Sequence, residues 1–155
     1  TPLAAMSLPL PDDDAQAESY LATVDFLEAA GYGQYEISNF CRPGRESRHN
    51  ARYWALSEYL GFGCGAHSDA FLRGEIAYSE KAAITPAERE TERIMLSLRT
   101  ARGLDTSTLP KTVDALFSSL ASHGLCRKAG DTWTLTPRGF LVSNAIIGEV
   151  LSLVE

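Results

Sequence analysis

The chain has 155 residues, 45% of them hydrophobic and 22% charged, with a net charge of −6 at pH 7. That length buries a core without help from disulfides or metals, and the composition is ordinary for a soluble globular protein. No apolar run approaches the roughly 18 residues needed to span a bilayer, and the acidic balance argues against a protein that grips a phosphate backbone.

Elements follow in chain order. "PDDDAQAESYLATVDFLEAAGYG" predicts a helix. Asp13 is placed to cap it with Gln16 three residues on, and Asp12 to Asp14 suit the positive end of the helix dipole. Ala17, Tyr20, Leu21, Val24 and Leu27 recur at helical spacing, and Gly31 ends the run. Residues 34–40, "QYEISNF", predict one strand. Residues 41–57 are polar and basic around Pro43-Gly44 and predict a long loop with a helical turn at 50–56. "YLGFGCGAHS", residues 59–68, and "GEIAYSE", residues 74–80, predict further strands.

The second half changes character. Thr85, Pro86 and Glu88 form a capping-box signature, after which Ile94, Leu98 and Ala101 line one face up to Gly103. A second helix turns Val113, Leu116, Phe117 and Leu120 inward. "LCRKAGDTWTLT" predicts a hairpin turning at Gly130-Asp131, with Trp133 and Leu135 inward. Thr136 and Pro137 open a last helix through "TPRGFLVSNAIIGEVLSLV". Helix, helix, hairpin, helix resembles a winged-helix arrangement. Residues 1–82 carry the whole net charge of −6, and residues 83–155 are neutral. Neither half has the positive excess of a nucleic-acid binder, so no nucleic-acid partner is expected.

Two clusters could carry chemistry. Gly61, Gly63 and Gly65 alternate, so on a strand they share one bare face, continued by His67, while Leu60, Phe62, Cys64 and Ala66 face a core. A flat ligand against that face and close packing of another element explain it equally well. In "SRHNARYW", His49 and Asn50 stand between arginines and before Tyr53 and Trp54. Arg42, Arg45, Arg48 and Arg52 fall within eleven residues. Guanidinium suits carboxylates or phosphates, imidazole suits haem iron, and the rings suit stacking on a plane. A solvated loop anchored by its aromatics accounts for the same residues. If 49–54 is helical, His49 shares a face with Tyr53, and Asn50 with Trp54.

Cys41, Cys64 and Cys126 stand far apart without a CxxC pair. That spacing argues against structural zinc and for reduced thiols in a cytoplasmic protein. The N-terminus lacks a signal-peptide pattern and an initial Met, so the chain reads as the inside of a longer one.

"QYEISNFCRPGRESRHNARYW" followed by "YLGFGCGAHS" resembles the oxygen-independent coproporphyrinogen oxidase family of radical SAM proteins. His49-Asn50-Ala51-Arg52-Tyr53-Trp54 matches the HNxxYW signature of its haem-chaperone branch. "ERIMLSLRTARGLD" and "LTPRGFLVSNAII" resemble the family's C-terminal domain. The resemblance implies an α/β fold. Residues 1–82 would be the C-terminal remnant of a partial (β/α) barrel, and residues 83–155 a small helical, winged-helix-like domain. It implies haem bound through His49 as iron ligand, with Asn50, Tyr53, Trp54, Arg45 and Arg48 around it. Gly61, Gly63, Gly65 and His67 would border a cofactor or substrate cavity. It also implies a role in porphyrin metabolism, with chaperoning rather than decarboxylation as the activity, and an unidentified haem-acceptor protein.

The family's 4Fe–4S cluster and S-adenosylmethionine belong to the full-length protein, because this chain has no CxxxCxxC loop. The chain alone is therefore not expected to cleave S-adenosylmethionine. Cys64 stands where the family would have Pro, and Cys41 where Ala is common. An open barrel edge would invite pairing with another copy, which leaves a homodimer open. Two other readings remain: a winged-helix-like nucleic-acid-binding module, and a purely structural interaction module.

Overall fold

The computed structural model describes residues 11–57 and 85–154. The strands expected at 59–68 and 74–80 lie outside these residues, and with them Gly61, Gly63, Cys64, Gly65 and His67.

Helix α1 spans Asp13–Ala29. Its cap is Asp12, one residue earlier than expected. The Asp12 carboxylate accepts from the Ala15 N–H at 2.8 Å, and the Gln16 amide donates back to the Pro11 carbonyl at 3.0 Å. Any of three consecutive aspartates could cap; the one held extended, at φ −68° and ψ 172°, does so. The inward face is the one the spacing predicts, with Val24 buried and Ala17, Tyr20, Leu21 and Leu27 half-buried. Gly31, at φ +84°, ends the helix.

The single strand expected over 34–40 is instead a hairpin. Strand β1, Gly33–Glu36, pairs antiparallel with β2, Asn39–Cys41. The Asn39 amide donates to the Glu36 carboxylate across the turn. Such a local side-chain bond competes with an extended ladder, and Ser and Asn favour the turn. Glu36 is only 2% exposed and forms an antiparallel bridge with Thr100. The Ile37 N–H donates to the Arg99 carbonyl at 2.8 Å, and the Ala101 N–H to the Tyr35 carbonyl at 3.0 Å. The hairpin is thus stitched by backbone to the second half of the chain. Helix α2, Arg48–Trp54, follows.

Helix α3, Pro86–Ser97, opens with the expected capping box: the Thr85 hydroxyl accepts from the Glu88 N–H, and the Glu88 carboxylate from the Thr85 N–H. It ends sooner than the pattern predicts. Ile94 and Leu98 are buried, but Ala101 is exposed, because the chain has left the helix to bond the hairpin. Strand β3, Leu104–Asp105, helix α4, Lys111–Ser122, and strands β4, Cys126–Ala129, and β5, Thr132–Leu135, come next. The three strands form an antiparallel sheet in the order β3-β5-β4. β3 has only two residues, too few for a period-two pattern to show.

The helix expected from Thr136 onward is two, α5, Pro137–Leu141, and α6, Ser143–Val154, broken at Val142. Gly139 sits where the backbone meets the Leu125 carbonyl, leaving no room for a Cβ. The core gathers Ile94, Leu98, Leu104, Val113, Phe117, Trp133, Leu135, Phe140, Ile146, Ile147 and Val150. Each such side chain contributes roughly 1.5–3 kcal/mol on burial. Phe117 stacks on Trp133 with centroids 5.5 Å apart. Cys126 donates its thiol to the Phe117 carbonyl at 3.1 Å, and burial pushes that thiol up to about 11. Among the described residues Cys41 and Cys126 are both free thiols.

The described residues are therefore mixed α/β, with six helices and two small antiparallel sheets among them and no closed barrel. None of the described helices is long and apolar enough to cross a membrane.

Candidate functional site

The segment before α2 turns at Pro43-Gly44, where the Arg45 N–H donates to the Arg42 carbonyl at 3.0 Å. Ser47 caps α2 by accepting from the Asn50 N–H at 3.3 Å. This cap starts the helix at Arg48, two residues ahead of the turn predicted at 50–56. At the far end the Leu56 N–H bonds the Tyr53 carbonyl and the Ser57 N–H bonds the Arg52 carbonyl. That pair is the Schellman arrangement, yet its left-handed position holds Leu56 at φ +52° where glycine is usual. A non-glycine residue there costs roughly 1–2 kcal/mol.

Because α2 is helical, His49 and Tyr53 stack one turn apart. Their ring centroids are 5.0 Å apart and nearly perpendicular, at 79°. Both are exposed, Tyr53 at 42%. Asn50 and Trp54 are half-buried. An open groove of about 570 Å³ runs along the helix, lined by Arg48, His49, Arg52 and Ser57, by Ala51 and Ala55, and by Arg102 from the α3–β3 turn. Among the described residues, none of the three groove arginines pairs with a carboxylate; the ion pairs found there are Arg93–Glu90 and Lys128–Asp114.

The four clustered arginines thus divide. Arg48 and Arg52 line the groove, Arg42 lies 5.2 Å over the Tyr32 ring, and Arg45 is exposed in the preceding turn. Arg102 was not singled out from the sequence. It lies fifty residues from Arg52, and no local pattern marks it.

The donor set is basic, with one accessible imidazole. Among the described residues no group of three or more His, Cys, Asp or Glu side chains could hold a bare metal ion. A porphyrin supplies four nitrogens of its own, so its iron needs only an axial ligand, and an exposed histidine meets that need. Propionates suit the guanidinium groups. The residues present fit haem. They do not fit an iron–sulfur cluster, which would need closely spaced thiolates.

Residues 84–142 match the HemN C-terminal domain. The chain is 32% identical to a protein of Bacillus subtilis (strain 168) named heme chaperone HemW, the match covering 93% of this chain and 45% of that protein. It is 28% identical to the Escherichia coli (strain K12) protein of the same name, over 89% of this chain and 43% of that protein. A mouse protein, radical S-adenosyl methionine domain-containing protein 1, mitochondrial, is 43% identical over 53% of this chain and 19% of its own length. No solved structure matches.

Over most of its length, then, the chain is similar to the C-terminal part of oxygen-independent coproporphyrinogen oxidase-like radical SAM proteins. Within that group its similarity is to the haem-chaperone branch. It spans less than half the length of these curated relatives.

Proposed function

We propose that this chain carries the haem-binding part of a radical SAM haem-chaperone-type protein. The observation that supports this most directly is one groove in which an exposed imidazole, His49, stands beside Arg48 and Arg52, inside a match to the HNxxYW signature. His49 would be the axial ligand. Tyr53, against the imidazole edge, would hold the ring's orientation, and Arg48 and Arg52 would receive propionates. Asn50 and Trp54 would position α2 from its half-buried side. Arg45, in the preceding turn, is a more distant propionate partner. When bound, haem would supply the iron to which the His49 imidazole nitrogen would donate.

The finer architecture belongs to the same proposal. Residues 1–82 would be the remnant of a partial barrel and residues 83–155 a winged-helix-like domain; the three-stranded antiparallel sheet packed with α3, α4 and α6 supports the second. Gly61, Gly63, Gly65 and His67 would border the cofactor or substrate cavity. The cluster and S-adenosylmethionine would belong to the longer protein, acting in the cytoplasm and passing haem to an acceptor protein. A nucleic-acid-binding role is not favoured, since residues 83–155 carry no net charge.

Haem titrated into the chain should shift the Soret band, and His49→Ala should abolish that shift while far-UV circular dichroism stays unchanged. An identical Soret band in the variant would remove His49 as the ligand.

A further inference from the structure

The groove contains a residue that the HNxxYW segment does not supply. Arg102 reaches it from the turn between α3 and β3, and its backbone is held on both sides. Ala101 donates its N–H to the Tyr35 carbonyl, and Gly103 donates to the Thr100 carbonyl at 3.2 Å. Gly103 itself lies so close to Trp133 that a Cβ would fall 2.2 Å from the Trp133 carbonyl oxygen. Arg102 is therefore carried on a turn fixed by the core and by the seam to β1, not on a free loop. It lines the same groove as Arg48 and Arg52, and among the described residues no carboxylate neutralises any of the three. Three exposed like charges lining one open groove make it attractive to an anion.

We propose that Arg102 completes, with Arg48 and Arg52, a guanidinium clamp for the paired propionates of a porphyrin, so that binding draws on both halves of the chain. This rests on the haem-binding reading for the identity of the ligand, but not on iron or on His49. A planar fork bonds carboxylate bidentately, so in such a clamp arginine would hold a propionate better than a bare positive charge. Three forks are available for two carboxylates, and of the three Arg102 alone comes from outside the 41–57 segment.

Metal-free protoporphyrin IX separates this from axial ligation, because it keeps the propionates and has no iron. Its fluorescence would be titrated with the whole chain and compared with protoporphyrin IX dimethyl ester, for the unmodified protein, Arg102→Gln, Arg102→Lys and the control Arg127→Gln on β4. The free acid should bind about tenfold or more tighter than the ester, the size expected for a charge-assisted hydrogen bond. Arg102→Gln should remove most of that preference without changing ester affinity. Arg102→Lys should restore it only in part, and Arg127→Gln should leave it intact.

Equal affinity for acid and ester in the unmodified protein would overturn the clamp. So would an Arg102→Gln variant that keeps the full preference, or no binding of either compound. Haem and protoporphyrin IX titrations of His49→Ala beside the unmodified protein read the other claim: loss of the Soret shift in His49→Ala with the acid preference retained supports both. A haem spectrum indifferent to His49, with the preference intact, removes the axial ligand and leaves the clamp standing.

Discussion

The Asp114 carboxylate shows how one side chain ties a helix to a sheet. From the first turn of α4 it accepts from the Lys128 ammonium and from the Trp133 indole N–H, each at 2.7 Å. Those two bonds, Lys128 first, hold the carboxyl below its ordinary value. A depressed folded value means that the stabilisation is complete above the unfolded-state value of about 4 and is lost as pH falls through the lower folded one. Chemical denaturation between pH 5 and pH 2.5 should therefore show the unmodified chain losing more stability than Asp114→Asn. Parallel pH profiles for the two would mean that the carboxylate is not preferentially ionised in the fold. Lys128 also lies 5.1 Å over the Trp133 ring, so the indole is held at its edge and on its face.

Among the elements, the turn between α3 and β3 is tightly constrained. Gly103 combines φ +74° with a backbone contact that excludes a Cβ, whereas Gly124 after α4 has φ +72° with open space around it. Alanine at either site meets the left-handed penalty of roughly 1–2 kcal/mol, but at 103 it must also push Trp133 or its own turn aside. Gly103→Ala should destabilise by about 3 kcal/mol or more and Gly124→Ala by about 1, measured by urea unfolding. Equal losses at the two sites would show that the turn yields without disturbing β5. The split of the C-terminal helix at Val142 is the counterpart: "TPRGFLVSNAII" has helical spacing throughout, and the first short helix is pinned to the start of β4 by the contact of Gly139 with Leu125 and by Thr136, which donates its N–H to the Leu125 carbonyl and its hydroxyl to the Gly124 carbonyl.

At the scale of the molecule, the seam between the β1–β2 hairpin and residues 99–101 decides whether the described parts act as one body. Glu36 is buried there with the Asn39 amide bonded to its carboxylate. Removing that donor leaves a buried acceptor short of a partner, which costs about 1–3 kcal/mol. Asn39→Ala should lower the midpoint of a single unfolding transition followed both by far-UV circular dichroism and by tryptophan fluorescence. Two separated transitions would show that the hairpin side opens independently, and a groove drawing on Arg102 would then depend on that opening.

Much of this molecule is legible locally. The caps at Thr85 and Thr136, the inward faces of α1 and α4 and the Gly130-Asp131 turn follow from residues within one or two turns of each other. So does the shared face of His49 and Tyr53, because helical spacing and side-chain capping are short-range. The cap of α1 shifted by one because three adjacent aspartates compete and only backbone conformation chooses among them.

The sequence by itself determined roughly where most of the described helices lie and which of their faces are apolar. Tertiary structure alone decided two things. It drew Thr100 out of a helical run to meet Glu36, and it brought Arg102 to the groove beside His49. The physical reason is the same for each: the deciding partner lies about fifty or more residues away, and no local propensity encodes a contact made only when the chain closes on itself.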